Sequence, residues 1–144
     1  MRATVPFSPR EFEQRRPVWD ALSTLFLDTD VTLLRPYRAR TLAASPFTLD
    51  ELEAILVDEV YPVCWTNVLS IAGEWAEFDA AWLESRIVRR LTSPWRALHR
   101  LNFGRISVPA SLEWHLTKRA IREERARTAG SAQTQPKDPS NNSH

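Results

Sequence analysis

The sequence predicts an all-α fold, a single compact bundle of about six helices, on three observations. Glycine occurs only three times and proline ten times in 144 residues, which suits helices stopped by proline better than a sheet rich in tight turns. Apolar residues recur at i, i+3 or i+4, and i+7 along several segments, the period of a helix with one buried face. Two of those segments open on a serine or threonine followed three residues later by glutamate, the pattern of a capping box. The 43% hydrophobic and 26% charged residues are those of a globular domain able to form its core without disulfides or metal. One domain is expected over 1–127. Residues 128–144 carry no apolar side chain larger than alanine and are expected to form a disordered tail.

The first helix starts at Ser8-Pro9-Arg10-Glu11, with Ser8 as N-cap, proline at the first helical position and Glu11 at N3. Pro17 is expected to end it and to open a second, in which Val18, Leu22, Leu25 and Phe26 form a core-facing stripe. Arg35-Pro36-Tyr37 opens a short helix through Ala44. Thr48 caps the next, with Glu51 reaching back and Phe47 positioned as a staple against Leu52. Asp79 caps a helix whose stripe is Leu83, Ile87 and Leu91, with Arg86, Arg89 and Arg90 in water. Ser93-Pro94 starts another short helix, the segment 103–109 is the least helical in the chain and extended around Ile106 to Val108, and a last helix runs from about Ala110 to Arg127.

The stretch DEVYPVCWTNVLSIAGEW at 58–75 changes its buried side at Pro62. Before it, Leu52, Ile55, Leu56 and Val60 share one face with Glu59 near the centre. After it, apolar side chains cover almost the whole circumference, which marks a central helix. One straight rod would align Glu59, Thr66, Asn67, Ser70 and Glu74 in a single polar strip. The proline ring removes a hydrogen bond and clashes with the carbonyl of residue 58, so a bend or break is expected there. Glu59 then either pairs with an arginine, because an unpaired buried carboxylate is too costly, or forms the base of a small polar pocket with Thr66, Asn67, Ser70 and Glu74.

Net charge is +1, but the charges are segregated: residues 41–84 hold nine acids and no Lys or Arg, and residues 85–144 hold twelve basic residues and four acids. Asp50, Glu51, Glu53 and Asp58, with Trp75 nearby, are therefore candidates for an acidic face that holds a basic protein partner. The basic residues of 118–127 are a weaker candidate for contact with nucleic acid, interrupted by Glu123 and Glu124. Of the six tryptophans, Trp19, Trp65 and Trp82 fall on or beside core stripes, whereas Trp75, Trp95 and Trp114 are candidates for exposed anchors.

Chemistry has little support. The three histidines lack the spacing of helical metal ligands, no calcium loop is complete, and neither a nucleophile elbow nor a glycine-rich phosphate loop is present, so no metal, cofactor or catalytic residue is assigned and enzymatic activity is not the favoured expectation. Cys64 lies in an apolar helix and reads as a core residue. With no apolar leader and no run of membrane-spanning length, a cytoplasmic setting is expected.

The segments RRPVWDALSTLFLDTD, SPFTLDELEAILVDEVYPVCWTNVL and AGEWAEFDAAWL together resemble a family of small bacterial all-helical proteins of uncharacterised function, over about residues 15–91. The resemblance implies an autonomous helical domain and transfers no site residue. Small solitary proteins of this kind include immunity and antitoxin partners, so the expectation for function is a protein-binding module of that type, with an enzyme or small-ligand binder around Glu59 as the alternative.

Overall fold

The computed structural model describes residues 7–26, 30–68, 80–93 and 104–134, with the side chains of 65–68 and 104–106 outside the description. Its helices are α1 (Pro9–Ser23), α2 (Arg35–Ala44), α3 (Leu49–Ile55), a π segment (Leu56–Val60), α4 (Tyr61–Val68), α5 (Ala80–Leu91), α6 (Gly104–Ala110) and α7 (Leu112–Gln133), with a 3₁₀ turn at Thr24–Phe26. The stretch from α3 through the π segment to α4 is continuous, which makes six helical rods and no strand among the described residues.

The caps form as their chemistry dictates. The Ser8 hydroxyl accepts from the Glu11 amide at 3.3 Å while the Ser8 amide donates to the Glu11 carboxylate at 2.8 Å. Thr48 accepts from the Glu51 amide at 3.2 Å and Ser111 from the Trp114 amide at 3.4 Å. Each side-chain cap contributes about 1 kcal/mol by satisfying an amide that has no partner within its helix.

Three local expectations are corrected. Pro17 neither ends α1 nor opens a new helix; α1 runs through it. Pro17 is exposed while Val18, Trp19, Ala21 and Leu22 just beyond it are buried, so the packing of the following turn offsets the lost hydrogen bond. The segment expected to be extended is helical as α6, Pro109 included. And α7 continues to Gln133, past the expected boundary at Arg127 and into the segment expected to be disordered; its exposed last turns extend a helix already nucleated and packed further back, where each added residue gains one hydrogen bond. The short helix expected after Ser93 and the cap at Asp79 lie outside the described residues.

The change of face at Pro62 is resolved without a break. Leu56–Val60 form a π segment in which the Tyr61 amide donates to the Leu56 carbonyl, five residues back rather than four. The wider turn makes room for the proline ring and rotates the buried face, so one continuous rod presents different sides before and after it. Leu56, Val57, Glu59, Val60, Tyr61, Val63 and Cys64 are all buried. The π segment touches α1, α5 and α6 as well as its own flanks, which makes it the hub of the bundle, and α2 packs most extensively on α7.

The core gathers Val18, Trp19 and Leu22 of α1, Ala39 and Leu42 of α2, Leu52 and Ile55 of α3, the hub residues, Leu83 and Ile87 of α5, Val108, and Trp114 and Ile121 of α7. Burying each large apolar side chain contributes roughly 1.5–3 kcal/mol. Trp114, expected as a possible surface anchor, is 1% exposed; it belongs to a stripe with Thr117 and Ile121 along α7.

Candidate functional site

Two charged clusters lie inside the bundle. The first joins α2 to α7. Arg38 is fully buried and donates through Nε to Thr24 Oγ1 at 2.9 Å, through Nη1 to Glu113 Oε1 and Thr117 Oγ1 at 3.0 Å each, and through Nη2 to the Val31 carbonyl at 3.0 Å. Glu113 is also gripped by Arg35 in a two-bond fork, at 2.9 and 2.7 Å. Such forks are the strong, geometrically fixed form of the ion pair. The Arg35 hydrogen bonds, more than the cost of burial, hold the Glu113 carboxyl below the ordinary glutamate range, with Arg38 adding to the effect. At the other end of the same helix pair, Arg125 donates to the carbonyls of Leu42 (3.2 Å), Ala43 (3.3 Å) and Phe47 (2.6 Å). This side chain closes the C-terminus of α2, where carbonyls lack partners within the helix, so Arg125 is used structurally.

The second cluster ties α1 to the π segment. Glu59, the candidate base of a polar pocket, is buried and accepts from Arg15 Nε at 3.1 Å. The Arg15 guanidinium lies over the Phe7 ring at 4.0 Å and the Phe47 ring at 5.2 Å. Burial pushes the Glu59 carboxyl up, and the Arg15 charge only partly opposes this while Asp58 adds to it. The buried Trp19 indole N–H also favours the charged form, although it makes no hydrogen bond, so it acts as a dipole. Thr66 and Asn67 stand on α4 with their side chains outside the description, and Ser70 and Glu74 lie outside the described residues, so of the expected pocket only Glu59 is described.

The candidate partner-binding acids divide. Asp50, Glu51 and Asp58 are exposed. Glu53 turns inward and accepts from Trp114 Nε1 at 3.1 Å and Lys118 Nζ at 3.2 Å; burial opposes its charge, but these two donors outweigh it and keep its pKa low. Trp75 lies outside the described residues. On the basic side, Arg119 pairs with Glu123 and Arg127 with Glu124, each at 3.2 Å.

Burial pushes the Cys64 thiol up to about 12, which keeps it protonated and unreactive near neutral pH. Among the described residues no group of three or more His, Cys, Asp or Glu is placed to hold a metal ion, and no helix is long and apolar enough to cross a membrane. A shallow cavity of about 260 Å³ opens between α1 and α5, walled by Arg16, Trp19, Asp20, Leu83 and Glu84. Two leucines stand out on the surface, Leu33 at 77% and Leu112 at 72% exposure. They sit two residues and one residue from the Arg35–Glu113 fork, so the fork sets them at the same end of the α2–α7 pair.

Sequence reasoning missed the first cluster entirely. An arginine is ordinarily assigned to water; the available signal was that Arg38 stands beside Ala39 and four residues before Leu42, both core residues. Glu113 lies 75 residues from Arg38 and carries no local mark of its role.

No curated protein and no solved structure matches the chain. A family model, described as a domain of unknown function (DUF7079), matches residues 13–129, which takes in both charged clusters and extends the resemblance over 15–91 in both directions. The chain therefore belongs to the DUF7079 family of uncharacterised domains.

Proposed function

We propose that this domain is a cytoplasmic protein-binding module that holds a basic protein partner through the outer side of the helix containing Asp50, Glu51 and Asp58. One observation carries the reading. Of the six described acids between residues 41 and 84, Glu53, Glu59 and Glu84 each pair with a cation of this chain, whereas Asp50 and Glu51 present exposed carboxylates side by side, with Asp58 exposed further along the same rod. Exposed acids of one sign raise the local concentration of a basic partner and speed its docking, with a marked dependence on salt. Leu33 and Leu112 add apolar area of the kind that protein contacts cover. An immunity- or antitoxin-like role is the specific form we favour, with a basic toxin as the partner.

The test is titration against the product of the neighbouring gene, at low and at high salt. Binding that weakens with salt and is lost in the Asp50→Lys/Glu51→Lys variant, at unchanged helicity and melting temperature, supports the proposal. Binding that ignores both salt and charge reversal overturns it. A Leu33→Asp/Leu112→Asp variant then reports whether the apolar end contributes, since substituting two exposed side chains leaves the fold within about 0.5 kcal/mol of its starting stability.

A further inference from the structure

We draw no further inference here: the strongest candidate, the shallow cavity between α1 and α5, carries nothing because its charged rim is already paired internally, Arg16 with Glu84 and Asp20 with Tyr37, and nothing in the structure shows what would cover it.

Discussion

Arg38 and Glu59 are both buried charges, and the bundle treats them in opposite ways. Arg38 spends its guanidinium on a carboxylate, two hydroxyls and a carbonyl. Glu59 has, among the described residues, a single charge-assisted bond, from Arg15, beside an indole N–H that makes no hydrogen bond. Taking a charge out of water costs several kcal/mol, and that cost is recovered only where good geometry satisfies the whole group. The α2–α7 cluster meets the condition and clamps two helices together. The α1–π junction meets it partly, and the rising pKa of Glu59 is the sign of what remains uncompensated. Burial alone therefore says nothing about whether a charge stabilises; the count and alignment of its partners do.

The largest effect is expected at the clamp. Arg38→Met leaves the buried Thr117 hydroxyl without its donor, takes a donor from the half-buried Thr24 hydroxyl and Val31 carbonyl, and removes a cation from Glu113; it should cost about 3–5 kcal/mol, read from urea unfolding. A loss below about 1 kcal/mol would remove the distinction between the two sites. Next comes Glu113→Gln, which leaves Arg35 and Arg38 sharing a neutral acceptor and should cost about 1.5–3 kcal/mol at neutral pH. Its pH dependence follows from sign. The folded-state pKa of Glu113 lies below the ordinary 4.5, so its stabilisation is present above that value and lost as pH falls through the folded pKa. The stability gap between the wild type and this variant should accordingly close under acid conditions.

Glu59→Gln should behave differently. Gln still accepts from Arg15, whose guanidinium stays lodged against Phe7 and Phe47, and the cost of the buried charge disappears; a net change within about 1 kcal/mol at neutral pH is expected. Here the folded pKa is raised above 4.5, so the stability contributed by protonated Glu59 is full below that value and is lost as pH rises through the folded pKa. Wild type should therefore lose stability relative to Glu59→Gln over that upward interval, the reverse of the trend at Glu113. Parallel trends at the two glutamates, measured by denaturation across pH, would break the comparison.

The smallest effect is expected at Pro62. In a regular helix interior, exchanging proline for alanine recovers about 3 kcal/mol. The π segment already accommodates the ring, so Pro62→Ala should change stability by less than about 1 kcal/mol. A gain near the full value, by thermal or urea unfolding, would show that the wide turn does not relieve the proline.

Reading the chain in order located much of this frame. The capping box at Ser8 and the side-chain cap at Thr48, the α2 limits at Arg35 and Ala44, and the α5 stripe of Leu83 and Ile87 rest on interactions within three or four residues, where spacing and side-chain chemistry suffice. Pro17 was misread because proline's local cost is real, yet the burial of Val18, Trp19 and Leu22 exceeds it, and that burial depends on helices far along the chain. The site was less legible. Exposure of Asp50 and Glu51 follows from the face they occupy on α3, whereas the withdrawal of Glu53 depends on Trp114 and Lys118, more than sixty residues away.

By itself, then, the sequence determined that this protein is helical, where most of its helices begin, and which faces are apolar, because those properties are set by periodicity and by bonds between near neighbours. Only the tertiary structure decided which charges are buried and how well each is satisfied. That outcome depends on long-range partners brought together by packing: Arg38 with Glu113, Arg15 with Glu59, and Arg125 with the end of α2. No local rule encodes a partner that another helix supplies.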